Sequence, residues 1–324
     1  MIIKSSPITD KSVFLKLSFG VPGNSKKIPA SNIQLISESV TVNPSEIADS
    51  TVVDLAEKAV NHGGKSNRIK AQKTLLDSPE LKAIQDADTE IRQWVDKHCV
   101  PWDVGVRLLP HANLDSVGTK LDEYESTVRP PLVAAFMAAY PQRRTEALEE
   151  LGKLGIADSS DYPSESVMLS KFYFKYSVYT VSLPEVLKQK GMYDKANAKL
   201  QAQMIEASNE ITAFMRQTLY ELTAHLADVL TPNADGKPKR LFNTAITNIT
   251  EFLDSFPARN ITEDSELSAI VTNLRGMLKS DIQADILKKD MSLKDQIKDQ
   301  MTAVSAELKN LVEVIPGRKI RDEA

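Results

Sequence analysis

One cysteine, four histidines and two tryptophans among 324 residues leave little material for several kinds of chemistry. Cys99 alone cannot close an intramolecular disulfide, which suits a reducing compartment. The 12 glycines are about half the usual share, and aromatics make up only 6%. With Lys, Glu, Asp, Ala and Leu plentiful, that scarcity leans towards long helices. No window reaches 18 uninterrupted apolar residues, and the opening Met1-Ile-Ile-Lys-Ser-Ser-Pro lacks a basic region followed by an apolar run. Neither a membrane span nor a secretory signal is therefore expected, and a cytoplasmic location is. A formal charge of −4 excludes a strongly electropositive, globally nucleic-acid-seeking protein, though not a local basic patch.

The strongest strand signal lies in the span Tyr162–Leu187. Phe172, Phe174, Tyr176, Val178 and Thr180 alternate with Tyr173, Lys175, Ser177, Tyr179 and Val181, which predicts a strand over 172–183 closed by Pro184. A first strand is predicted over 12–19, with Val13, Leu15, Leu17 and Phe19 on one face and a turn at Gly20, Pro22, Gly23 and Asn24. An isolated strand is unstable, so these two are expected to pair. Val104–Pro110 is a candidate third strand. Residues 37–77 read as a polar surface connection with a short helix at Val52–Val60.

Elsewhere the pattern is helical. Ser78 caps a helix with Pro79 in its first turn, a stripe of Leu81, Ile84, Ile91, Trp94 and Val95, and a stop at Pro101. A second pattern runs from Leu114 through Val117, Leu121, Tyr124 and Val128. Pro130-Pro131 is expected to bend or break it before it resumes through Phe136 and Tyr140 towards Leu151, giving an antiparallel helical hairpin. Beyond Pro184, Leu200, Met204, Ala207, Ile211, Phe214, Thr218, Leu222 and Val229 recur at threes and fours, a helix of about 40 residues resembling a coiled-coil arm or bundle core. Three further helices follow. Leu241 to Phe256 leads up to Pro257, a start at Thr262 leads to Leu278, and a start at Ser292 leads to Ile315 before Pro316-Gly317. The fold class is mainly α (α+β): long antiparallel helices in a coiled-coil-like bundle with a small antiparallel β element. The expected organisation is an N-terminal α+β region, 1–183, and a C-terminal helical bundle, 184–324, or one continuous elongated domain.

Signals for chemistry are sparse. Gly64-Lys65-Ser66 ends like a phosphate-binding loop, but Ala59 stands where the motif needs glycine, so a solvated loop is the plainer reading. His98, Cys99 and His111 are the soft-ligand cluster. Zinc needs three or four convergent ligands, and adjacent helical residues point about 100° apart, so an ordinary helix end is favoured over a metal site or a Cys-His nucleophile. His225 reads as a residue on or beside the long helix's apolar stripe, and the pairs Glu149-Glu150 and Asp122-Glu123 read as solvated faces. No catalytic residue, cofactor site or metal site is assigned. Lys171, Tyr173, Lys175 and Tyr179 interleave cations and aromatics, as in sheets that stack bases on rings and track phosphates with lysines, although half-buried strands use the same residues for packing. Arg143-Arg144 and Lys237, Lys239 and Arg240 add small basic spots.

Several short pieces occur together in this order: Val13-Phe-Leu-Lys-Leu, Trp102-Asp-Val-Gly-Val-Arg-Leu-Leu-Pro110, Phe136–Tyr140, Tyr162-Pro-Ser, Phe172-Tyr-Phe-Lys-Tyr, Phe242–Phe256 and Gly317-Arg-Lys-Ile. Their combination resembles a bacterial and phage family known as a domain of unknown function, whose members tend to be encoded beside MoxR-type AAA+ ATPases and von Willebrand factor A or cobaltochelatase-like proteins. The resemblance implies a non-enzymatic helical adaptor working with such an ATPase, and it brings no catalytic residues with it. The alternatives are a single-strand nucleic-acid binder using the Lys171 to Tyr179 face and a phage or prophage assembly protein that self-associates through the long helix.

Overall fold

Alternating apolar residues build strand β1 (Ser12–Gly20), which follows a single helical turn, α1 (Pro7–Lys11). The computed structural model to which these elements belong describes residues 7–28, 72–181, 192–233, 235, 237–278, 282 and 284–313. The expected helix at Val52–Val60, Gly64-Lys65-Ser66, Pro184, Ile315 and Pro316-Gly317 lie outside the described residues. Contacts divide the chain into two units that interleave along the sequence: Met1–Leu17, Arg92–Leu121 and Tyr176–Ala324 in the first, and Ser18–Ile91 and Asp122–Lys175 in the second.

The fold is mainly helical with small antiparallel sheets. β1 pairs antiparallel with β5 (Val106–Pro110), from Ser12 opposite Pro110 to Lys16 opposite Val106. β5 also pairs with β4 (Val100–Asp103) across a bulge between Pro101 and Asp103, and Gly105 takes the positive φ of 71° that the tight turn requires. The strand order is β4-β5-β1-β6, with β6 at Tyr173–Tyr179. The expected pairing of the two alternating segments is thus present. Pro101 does not merely stop a helix: it sits in the outermost strand, where a missing N–H removes no central ladder bond. Phe14 shows why β1 lies inside the sheet. Its ring meets Trp102 edge-on at 5.1 Å and stacks on Tyr179 at 5.4 Å, so both faces of β1 carry buried side chains rather than the single face that alternation suggested. β2 (Ser25–Lys27) pairs with β3 (Gln72–Thr74), so the polar connection expected over 37–77 ends in a strand.

Helix α2 (Pro79–His98) begins as its sequence dictates. Ser78 Oγ accepts the Leu81 N–H at 3.1 Å and donates to Glu80 at 2.9 Å, while Leu81, Ile84, Ile91 and Val95 are buried. Arg143 reaches Glu80 at 3.0 Å, and its hydrogen bonding holds the Glu80 carboxyl at about 2, below its ordinary 4.5. A carboxyl depressed in the folded state contributes stability that is complete above pH 4.5 and is lost as pH falls towards about 2. Glu80→Gln is expected to flatten that acid limb of the stability curve relative to wild type, as read by thermal unfolding between pH 2 and 6. An unchanged limb would show that Glu80 is not the group responsible.

The expected break at Pro130-Pro131 is absent. Helix α3 (Leu114–Glu123) passes through a π-helical turn, Tyr124–Val128, directly into α4 (Arg129–Lys153), so the chain does not turn back there as a hairpin. Both prolines fall in the first turn of α4, where their missing N–H groups and the wider π turn before them avoid the clash of a mid-helix proline.

In the first unit, α6 (Tyr193–Leu230) packs against α7 (Asn243–Arg259) and α10 (Met291–Glu313), with α8 (Ser265–Met277) and α9 (Ala284–Lys289) completing one core; α5 (Glu165–Ser170) belongs to the second unit. The long helix has the expected extent, but its deepest stripe rotates. Met204 and Ile211 are buried as expected; further on, Met215, Leu219, Leu226 and Leu230 replace Phe214, Thr218, Leu222 and Val229 as the innermost residues. Two cap assignments also move. Asp264, not Thr262, caps α8 by accepting the Leu267 N–H at 3.1 Å, and Asp290, not Ser292, does the same for Leu293 at 3.0 Å. Asp264 is fixed by a two-pronged pair with Arg216 at 2.7 and 2.9 Å, which explains its selection.

Candidate functional site

Lys171, Tyr173, Lys175 and Tyr179 are all exposed. Lys171 occupies the turn before β6, and the other three take alternate positions along the strand. Tyr173 is 46% and Tyr179 40% accessible. Neither ring is a free stacking platform: Tyr179 stacks on Phe14, and the Tyr173 ring rests against Gly20, where a Cβ would fall into the ring and onto the Lys171 carbonyl oxygen. The intervening Phe174 is buried between Phe19 and Tyr124, at 5.0 and 5.1 Å between ring centres.

The soft-ligand residues do not converge on a centre. The His98 ring stacks on Trp94 at 3.9 Å and its Nδ1 bonds the Trp94 carbonyl oxygen at 2.7 Å. Cys99 is fully buried, and desolvation pushes its thiol up to about 12, which suppresses the reactive thiolate at neutral pH. His111 is exposed in a 3₁₀ turn, and no group of three metal-ligating side chains occurs among the described residues. His225 points to solvent, away from the apolar stripe. Glu149-Glu150 and Asp122-Glu123 are exposed. Within the basic spots, Arg143 pairs with Glu80 and Glu146, Lys239 with Asp228 at 2.6 Å, and Arg240 lies over the Phe242 ring at 4.6 Å.

A groove that residue spacing did not reveal lies in the second unit, with a cavity volume of about 730 Å³. Pro130, Val133 and Met137 of α4 form one wall, and Leu169 of α5 with Phe172 forms the other. Three ties set the direction of these walls. Tyr140 Oη donates to the Pro163 carbonyl at 2.7 Å, Phe136 meets Phe172 at 5.1 Å, and Tyr124 meets Phe174 at 5.1 Å. The segment from α5 into β6 therefore runs antiparallel to α4. Glu125 stands at one end of the groove and Glu165 at the other. Leu169 is 51% and Tyr173 46% exposed, while Val133, Met137 and Phe172 are half-buried.

Arg129, beneath the Glu125 end, is held rather than offered. Its Nε donates to Asp88 Oδ1 at 2.9 Å and its Nη2 to the Gly20 carbonyl at 2.9 Å, with both charged side chains no more than 6% exposed. Tyr124 Oη also donates to Asp88, and burial together with this bond pushes the phenol pKa upward. The guanidinium charge is thus neutralised from within, and Glu125 and Glu165 are the other charged residues of the lining. A mixed stripe of Pro, Val, Met and Ala gave no sequence sign of this, because a groove depends on what α5 leaves uncovered. No described helix is long and apolar enough to cross a membrane. Compared with family models, curated proteins and solved structures, the chain finds no match in any of the three.

Proposed function

We propose that the protein is a non-enzymatic interaction protein, a helical adaptor that works with a MoxR-type AAA+ ATPase and a von Willebrand A-like partner. The observation that carries the interaction role is the apolar groove of the second unit, since exposed Leu169 and Tyr173 beside half-buried Val133, Met137 and Phe172 form one apolar concavity of the kind that marks binding surfaces. The nature of the partner rests on the resemblance of the short segments from Val13 to Ile320 to that family. A stiff helix of 38 residues also suits a protein that must pass movement between partners.

A second reading, single-strand nucleic-acid binding, is favoured by the exposure of Lys171, Tyr173, Lys175 and Tyr179. One experiment weighs both. The full chain is mixed with a MoxR-type ATPase in nucleotide-free, ADP and ATP-analogue states and followed by light scattering on a sizing column, and separately titrated with a labelled single-stranded oligonucleotide at low salt. A stoichiometric complex in at least one nucleotide state is expected, and its absence in every state sinks the ATPase assignment. Oligonucleotide binding that weakens with salt and with Lys175→Glu would favour the second reading instead. The protein alone on the same column reports self-association, the outcome belonging to an assembly protein.

A further inference from the structure

We infer that the groove between α4 and α5 receives an amphipathic helix of a partner protein that carries basic residues at both ends of its apolar face. This rests on the interaction role above and names the chemistry of the occupant. The groove follows the π turn and α4 from Glu125 to Met137, twelve residues of rise or about 18 Å. Along α4 and α5 its walls are side chains of helices whose backbone groups already bond within those helices, and Tyr173 and Phe174 of the edge strand β6 complete the lining. An extended peptide laid along α4 and α5 would cover its own N–H and C=O groups without partners there, whereas a helix brings its backbone satisfied and offers only side chains.

Charge complementarity selects the ends. Glu125 and Glu165 are exposed carboxylate side chains at opposite ends of an apolar floor. The cation within the lining, Arg129, is cancelled by Asp88 and bonded to the Gly20 carbonyl. Lys171 lies in the turn beyond α5 and does not line the groove. A Lys or Arg near each end of the occupant, about three turns apart, would meet one carboxylate each while apolar residues between them settle on Val133, Met137 and Leu169. Acidic ends would be repelled from both sides, so the rim also specifies which helices are refused.

The test uses the full chain and two fluorescein-labelled synthetic peptides with the same helical apolar face, one ending in Lys-Lys at both termini and the other in Glu-Glu. Fluorescence anisotropy in low salt is expected to show at least tenfold tighter binding of the Lys-ended peptide. The double variant Glu125→Lys/Glu165→Lys should reverse that preference, and Leu169→Asp should abolish both interactions. These positions are exposed, and circular dichroism should show the variants as folded as wild type. Equal affinities, a preference indifferent to the charge reversal, or no binding of the Lys-ended peptide at millimolar concentration would each overturn the inference. If the ATPase complex forms and the charge reversal leaves it intact, the adaptor role stands on another surface and the groove assignment falls. If the peptides behave as expected without an ATPase complex, the groove stands and the ATPase assignment falls.

Discussion

Asp88→Ala is expected to cost about 3–5 kcal/mol of folding stability, a large loss for the removal of one polar side chain. The carboxylate is the shared acceptor of three donors: Nε and Nη2 of Arg129 and the Tyr124 hydroxyl. Its removal leaves a buried guanidinium with the Gly20 carbonyl as its remaining described acceptor and leaves a buried phenol without this one. The penalty comes from the uncompensated charge rather than from the pair itself, because burying two charges costs nearly as much as their attraction returns. A second substitution should therefore undo much of the damage: Asp88→Ala/Arg129→Met is expected to be more stable than Asp88→Ala alone. Urea unfolding followed by circular dichroism reads both. A single-variant loss below about 1 kcal/mol, the range of exposed pairs, would show that the pair is solvated.

Phe174→Asp is expected to lose at least about 4 kcal/mol, in the tail of point-mutation effects reserved for buried unpaired charges and lost core rings. The side chain is 7% exposed, and its ring is clasped by Phe19 and Tyr124. The aspartate would place a carboxylate among aromatic faces beside the Asp88 carboxylate that Tyr124 already serves. Lys175→Asp, one residue further and exposed, should stay within about 0.5 kcal/mol of wild type. The contrast between the neighbours is the measurement, because it tests the alternation that defines the strand. A fully folded Phe174→Asp protein would show that this strand does not hold the second unit together.

Particular residues show how much of this was legible beforehand. Ser78-Pro79, the alternation through Phe174 and the stripe running to Leu278 act through neighbours within a turn or two, and they appear where spacing placed them. The misplacements have one character. Thr262 and Ser292 are good caps in isolation, but Asp264 is chosen by Arg216, 48 residues away in sequence. Phe214 and Leu222 fit the same helical period as Met215 and Leu219, and the neighbouring helices decide which stripe goes inside. Pro130-Pro131 looked like a break, yet the π turn before it absorbs the strain. For the candidate site, the exposed Lys and Tyr residues could be named from alternation, whereas the groove and its two carboxylates could not.

The amino-acid sequence by itself determined the mainly helical class, the extent of the long helix and the alternating strands, because propensity, capping and period are local quantities. Only the tertiary structure decided that β1 lies between β5 and β6, that Asp88 and Arg129 neutralise each other inside the second unit, and that Glu125 and Glu165 border one groove. Those outcomes join residues tens of positions apart. Their free energy depends on what is buried opposite each side chain, which the spacing of residues along one element does not encode.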